Sequence, residues 1–335
     1  MYSLSVILPI YNVESYLSDC LESILKSMNY VNQDKKIEII LVDDGSTDNS
    51  SIIAKDYAFR YKFIYLKKKN GGLSDARNFG LKYVSSDFVT FIDSDDKVTE
   101  NYFSKILQAL ESNPDMVIFN WCDFFYNEPH NTVKGMDNPK QLWSVQPSAW
   151  NKVYKTKFFE EILFPIGKLY EDVGTIYKIL SKVNEFIYID EPLYMYRKGR
   201  QNSLLTTISP KINDIYYVLD ETYNFYSSSI STNQEIKDGL CYQYIKLLMW
   251  SNMYRQIKFH RYNFWGLYKK MKYSRSLINS RFPEWKSNEL IKLNSIYFIN
   301  RFGKDYIKMI DNIGRDFSST LYTLLIIIFK NFRRK

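Results

Sequence analysis

Phe88-Val89-Thr90-Phe91-Ile92-Asp93-Ser94-Asp95-Asp96 is the stretch from which the fold can be read. Five apolar or β-branched residues run without a charge and then meet three carboxylates within four positions. An uninterrupted run of this kind suits a strand buried on both faces, as in a parallel sheet. The acid that follows marks the carboxyl edge, where an open α/β sheet binds its ligands.

Working outward, the same pattern recurs. Leu4–Leu8, Ile37–Val42, Phe63–Leu66 and Met116–Asn120 read as further buried strands. Helical stripes separate them. Leu17, Leu21, Ile24, Leu25 and Met28 form one; Leu73, Ala76, Gly80, Leu81 and Val84 another; Phe103, Ile106, Leu107 and Leu110 a third. Ser46 is expected to cap a helix running to about Arg60, with Asp48 in its first turn. Strand and helix alternate over the first ~120 residues, so the expected class is α/β. Asn127 to Pro147 reads as a loop. Ser148–Ser203 holds a helix near Glu171–Lys182 and a strand near Phe186–Ile189, and helices rich in Tyr and Lys follow Leu204.

Composition sets bounds. An apolar fraction of 45% in 335 residues allows one large core plus an appended element. Cys20, Cys122 and Cys241 show neither a disulfide framework nor a zinc spacing, which suits a reducing compartment. The only histidines are His130 and His260, so a metal must be held by oxygen. The N-terminus, MYSLSVILPIY, has no signal-peptide pattern and reads as the first strand. The net charge of +8 suits an anionic ligand, an anionic surface or simply a solvated face.

The strand ends carry the chemistry. Pro9, Tyr11, Asn12 and Glu14 follow the first strand, Asp43-Asp44-Gly45-Ser46 the second, and Asn70-Gly71-Gly72 the third. Asp93-Ser94-Asp95-Asp96 follows the fourth. Like charges gathered at one edge repel unless a cation joins them. Mg²⁺ is typically held by one or two carboxylates with phosphates and water completing its shell. Asp93 and Asp95, two residues apart, point the same way on an extended segment. The plainer alternative is that these acids cap helices or solvate turns. Arg77 is expected either to pair its guanidinium with a diphosphate or to sit on the surface with Asp75 or Glu100. Gly71-Gly72 fits neither a dinucleotide fingerprint nor a P-loop. Pro9 and Tyr11 suit the faces of a flat base, with Asp44 accepting the imide proton of uracil or thymine; Tyr11 also reads as a rim aromatic.

These motifs resemble family 2 of the inverting glycosyltransferases. The resemblance rests on Ser5-Val6-Ile7-Leu8-Pro9-Ile10-Tyr11-Asn12, Val42-Asp43-Asp44-Gly45-Ser46-Thr47-Asp48, Asn70-Gly71-Gly72-Leu73-Ser74-Asp75-Ala76-Arg77-Asn78 and Phe91-Ile92-Asp93-Ser94-Asp95-Asp96. It continues more weakly through Trp150-Asn151-Lys152-Val153-Tyr154, Tyr170-Glu171-Asp172, and Tyr194-Met195-Tyr196-Arg197 with Ser203. It resembles the bacterial capsule, O-antigen and exopolysaccharide members most.

The resemblance implies a GT-A fold: a Rossmann-like, mostly parallel sheet flanked by helices, with a helical C-terminal extension. It implies a donor-binding half over 1–125, an acceptor-binding half over 126–204, and a helical region over 205–335. It places Pro9, Tyr11, Asn12, Glu14, Asp44, Arg77, Asp93 and Ser94 around a nucleotide-sugar donor, a UDP-sugar by the reading of the base. Asp95 becomes the principal ligand of Mn²⁺ or Mg²⁺, with Asp93 beside it, and Asp172 the base. Trp150, Lys152, Glu171 and Arg197 fall on the side of a glycan or lipid-linked acceptor. Trp150 either stacks on a sugar or sits in the core; Lys152 and Arg197 meet phosphate or acceptor, or lie on a solvated surface.

Displacing a diphosphate from an anomeric carbon needs charge on the leaving group, an aligned hydroxyl and a carboxylate to take its proton. Asp172 opens a helix, where the ionised form is favoured. Leu321–Phe329 is apolar and ends in Lys330, Arg333, Arg334 and Lys335. It is short of the ~20 residues that span a bilayer. Residues 317–335 therefore read as a peripheral contact at the cytoplasmic face of a membrane or as a docked last helix. A sugar-nucleotide-forming nucleotidyltransferase is the first rival, but no glycine-rich, lysine-bearing loop follows the first strand. A catalytically silent nucleotide-sugar-binding module lacks a reason for Asp172, and a nucleic-acid partner is suggested by charge alone.

Overall fold

The computed structural model describes residues 3–31, 37–125, 128–199 and 209–332. It divides into two compact units. One holds residues 1–136 and 146–201, the other residues 137–145 and 202–335.

The first unit is an α/β layer structure. Its elements run β1 Leu4–Ile10, α1 Glu14–Met28, β2 Ile37–Asp43, α2 Ser50–Tyr61, β3 Ile64–Lys67, α3 Leu73–Leu81 and β4 Phe88–Phe91. They continue with β5 Lys97–Val98, α4 Tyr102–Leu110, β6 Met116–Phe125, β7 Glu128–Lys134, β8 Lys152–Lys155, α5 Glu171–Ile179 and β9 Phe186–Arg197. Sheet order is β3-β2-β1-β4-β8-β6-β9-β5, with β7 paired to β6.

β1 lies between β2 and β4, and every residue from Leu4 to Ile10 is buried. That burial on both faces is why its apolar residues do not alternate. Leu17, Cys20, Leu21 and Ile24 of α1 pack onto one side, in a core shared with Leu4, Val6, Leu8 and Phe103. On the other, α3 approaches closely through Gly80: a Cβ there would lie 2.7 Å from Ile7.

The strands β1, β2, β3 and β4 pair in parallel. Beyond β4 the character changes, since β8 runs antiparallel to both β4 and β6. β6 therefore does not follow β4 in the sheet, because the short β8 is inserted between them. That strand hides in the Trp150-Asn151-Lys152-Val153-Tyr154 motif. The expected loop over Asn127 to Pro147 is also partly strand, since β7 hairpins onto β6.

Ser46 does not cap α2. Its amide donates to Asp43 Oδ1 at 2.8 Å, and the Thr47 amide donates to Asn12 Oδ1 at 2.8 Å. The turn is spent on tertiary hydrogen bonds, so the helix begins at Ser50, with its amide on Asp48 Oδ1.

The second unit is helical: α6 Asp214–Phe225, α7 Gln234–Lys246, α8 Met253–His260, α9 Phe264–Arg281, α10 Glu289–Leu293, α11 Ser295–Phe302, α12 Tyr306–Asn312 and α13 Phe317–Phe332. A π-helical turn, Leu247–Asn252, joins α7 to α8. Buried Lys246 pairs with Asp137, which also accepts from Tyr242 at 2.7 Å. α13 docks against α9, α11 and α12, burying Thr323, Leu324 and Ile327. No described helix is long and apolar enough to cross a membrane. Residues 333–335 and Ser203 lie outside the described residues.

Candidate active site

The carboxyl ends of β1, β2 and β4 meet at one rim of the first unit. Ser94 is buried there, and its hydroxyl donates to Pro9 O at 2.7 Å, tying the loop after β4 to the end of β1. Asn12, at φ +49°, ties β1 to the loop after β2 through its bond from Thr47. Glu14 accepts from the Asn49 amide at 2.9 Å while its own amide donates to Asp48 Oδ2 at 3.0 Å. Asn12 and Glu14 thus brace the rim from below. Tyr11 is the exposed aromatic here, at 46% of its surface.

Asp44 is buried and already engaged. Lys68 Nζ donates to its Oδ1 at 2.6 Å, the Gly71 amide to Oδ1 at 2.9 Å, and the Gly72 amide to Oδ2 at 2.7 Å. Its charge therefore sits at the N-terminus of α3, where the helix dipole favours an anion. Gly72 holds φ +86°, a conformation open to glycine at little cost. Asp44 thereby organises the 68–72 loop. A carboxylate offers about four acceptor sites, and three are used. Lys68, which also pairs with Asp75, sits in Lys67-Lys68-Lys69, a charge run of the kind that usually marks a solvated face. Its ammonium is held above its usual range: burial opposes this, but the bonds it donates to Asp44 and Asp75 outweigh burial.

Arg77 departs furthest from expectation. Its side chain is 1% exposed and sits among carboxylates. Nη2 donates to Asp93 at 2.9 Å; Nη1 donates to Asp172 at 2.8 Å and to Glu171 at 3.2 Å. Phe164 and Phe91 lie against the guanidinium, at 5.1 and 5.9 Å. It is not a surface residue paired with Asp75 or Glu100. A buried cation needs charged partners at hand. The carboxylates nearest to it come from the loop after β4 and from α5.

Asp172 is therefore fixed at both oxygens, since the Ala149 amide reaches Oδ2 at 3.2 Å, and it remains 21% exposed. Burial and the neighbouring Asp172 charge raise the Glu171 carboxyl to about 7. Burial, opposed by Arg77, also raises Asp93, with Asp95 adding to the effect.

The Asp93–Asp96 loop is clamped from β9. Tyr194 accepts from the Asp93 amide at 3.1 Å and donates to buried Asp96 at 2.7 Å. Arg197 Nε donates to Asp95 O at 2.5 Å, and its amide donates to Asp96 at 2.7 Å. Its guanidinium lies over Phe124 and Tyr16, at 4.5 and 4.8 Å. Arg197 thus braces the acidic loop and is not a solvated cation. Trp150 stacks in the core on Tyr194, centroids 4.4 Å apart, and on Tyr196 at 5.5 Å. Lys152 is fully buried, with Nζ on Gln146 O and Ser148 O at 2.6 and 2.8 Å. It closes the 146–151 turn and lies on no solvated surface. Tyr194 had a signal in the sequence: it alternates with Tyr196, which puts both rings on one face of a strand.

Among the described residues, no group of three or more His, Cys, Asp or Glu is arranged to hold a metal unaided.

The model of the family "Glycosyl transferase family 2" matches residues 5–170. Glycosyltransferase GlyA of Streptococcus pneumoniae is 35% identical over 215 residues, 58% of this chain and 30% of GlyA. This chain thus spans under a third of that relative's length. Glycosyltransferase GlyG of the same organism is 32% identical over 227 residues, covering 61% of this chain and 73% of GlyG. Among solved structures, S. aureus TarS 1-349 superposes with a TM-score of 0.67 at 19% identity, covering 92% of this chain and 90% of that one. Matched motifs, a relative covered over most of its length and a shared fold agree: this chain belongs to glycosyl transferase family 2.

Proposed function

We propose that this chain transfers a sugar from a nucleotide diphosphate donor, a UDP-sugar, to a hydroxyl of a glycan acceptor in surface polysaccharide synthesis. The reading is carried by Arg77, which joins donor-side Asp93 to Asp172 across one buried guanidinium, at 2.9 and 2.8 Å. Donor rim and base are thereby held in one frame. TarS, whose fold the chain shares, was crystallised with UDP-GlcNAc, which supports a nucleotide-sugar donor.

Tyr11 offers its exposed ring to the base, and Asp44 keeps about one acceptor site for an imide N–H. Asp95 and Asp93 would hold Mn²⁺ or Mg²⁺. The ion supplies positive charge that stabilises the departing diphosphate. Asp172 takes the proton of the acceptor hydroxyl as its oxygen attacks the anomeric carbon. The bond to the diphosphate breaks in the same displacement, so an α-linked donor gives a β linkage. Arg77 holds Asp172 in place through its 2.8 Å hydrogen bond. Glu171 lies beside the base and forms the acceptor wall. The site belongs at the cytoplasmic side of a membrane, with a lipid-linked acceptor and peripheral contact through 317–335.

The test is a panel of UDP-sugars, with and without EDTA, read as UDP release and as UDP binding by calorimetry. Expected are binding and turnover of at least one donor, turnover lost with EDTA and in Asp95→Ala. A chain that neither binds UDP nor consumes any donor would overturn the reading.

A further inference from the structure

The net positive charge of this chain comes from one region. Residues 209–335 hold 21 Lys and Arg against 10 Asp and Glu, whereas residues 1–208 hold 24 against 27. Within the helical region, residues 239–283 contain nine Lys and Arg and no Asp or Glu. The α8–α9 turn lies in the middle of that stretch, and it is not only basic. Tyr262 is 85% exposed, Trp265 55%, Phe264 48% and Phe259 37%. Lys258, Arg261, Lys269 and Lys272 are exposed around them. Trp265 leans on Tyr268 and on Phe317, at 5.3 and 5.6 Å between centroids, so the start of α13 continues the patch. Phe317 is itself 36% exposed. Farther along α13, Tyr322, Leu325 and Phe329 expose 66%, 44% and 67% opposite its buried face.

Soluble surfaces rarely gather so many large apolar side chains, and such patches mark a partner. Cations alone would suit any polyanion. Aromatics at a basic turn suit a phase that has both anionic headgroups and an apolar layer beneath them. A soluble polyanion gives Tyr262 and Phe264 no apolar layer to enter.

We propose that the α8–α9 turn, Lys258 to Trp265, with Phe317 beside it, is a docking surface for an anionic lipid bilayer. It deepens the membrane-side reading above and rests on it, while adding a site distinct from the outer face of α13. The turn enters the headgroup layer through Tyr262, Phe264 and Trp265, and Lys258 and Arg261 hold it to anionic lipid.

The test uses the full chain and phosphatidylcholine vesicles with and without phosphatidylglycerol, read by co-sedimentation at low and high salt. Expected is binding to the anionic vesicles alone, weakening with salt. Lys258→Glu with Arg261→Glu weakens it by roughly tenfold or more. Tyr262→Ser with Trp265→Ser weakens it at low salt too. Melting temperature and UDP affinity stay unchanged in these variants, so lost vesicle binding with intact UDP binding isolates the docking surface from the transferase reading. Tyr322→Ser, Leu325→Ser and Phe329→Ser test the outer face of α13 separately. Absence of binding to anionic vesicles, or binding undiminished in both turn variants, overturns the proposal. So does retention on heparin by a chain that ignores vesicles, which would assign the patch to a soluble polyanion.

Discussion

Arg77 and Asp172 are joined by a 2.8 Å hydrogen bond whose donor side chain is 1% exposed. The two residues come from α3 and α5, 95 positions apart. The other arm of the same guanidinium reaches Asp93, so a planar fork with fixed spacing sets the separation of two site carboxylates. Lysine has no such fork.

Replacing Arg77 should therefore expose the like charges it separates. Arg77→Met leaves Asp93, Glu171 and Asp172 without their buried cation and should cost about 3–5 kcal/mol. Arg77→Lys should recover part of that stability and little activity, because one ammonium cannot hold both arms. Denaturant unfolding and donor turnover measure the two effects. Equal stability of the Met variant and the native chain would show the ion cluster to be dispensable.

Asp172→Asn keeps the shape of the proposed base and removes its proton affinity. Turnover should fall by roughly 10²–10⁴-fold, the usual contribution of a general base. Calorimetric UDP affinity should change little. Transfer at the native rate by the Asn enzyme would rule out Asp172 as the proton acceptor.

Glu171 should leave a mark on stability against pH. Its carboxyl ionises near 4.5 when unperturbed and is raised to about 7 in the fold by burial and by Asp172. Between those values the folded chain binds more protons than the unfolded one. Its contribution is full below about 4.5 and is lost as pH rises through about 7. Unfolding free energy followed across this window should fall more steeply for the native chain than for Glu171→Gln. Parallel curves would discard the assignment.

Trp150 stacks on Tyr194, whose hydroxyl bonds Asp96 and the Asp93 amide. Trp150→Ala should cost about 3–5 kcal/mol, typical of a buried aromatic truncation. Trp150→Phe should recover much of it. A variant with native stability and a raised acceptor KM would instead put the indole against the sugar.

What was legible in the sequence was local. Mostly apolar runs marked β1, β2 and β4 within a few residues, because strands buried on both faces have no solvent-facing side that favours polar residues. Acids directly after those runs marked the rim, because strand ends are where a parallel sheet presents its ligand edge. β8 escaped notice because a strand of four residues carries too little pattern to be separated from its flanks. Ser46 does not cap because its hydroxyl accepts from the Asn12 amide at 3.3 Å, a bond that only the folded turn supplies.

Residue types and their order determined the architecture, the family and the identity of the acidic rim. Side-chain partners were decided only by the fold. Charges were expected to meet solvent or ligand, yet Arg77, Lys152 and Arg197 are each drawn inward. Arg77 takes carboxylates, Lys152 carbonyls, and Arg197 a carbonyl beneath its aromatic neighbours. A cation removed from water must find such partners, and which acceptors stand within reach depends on how distant segments pack.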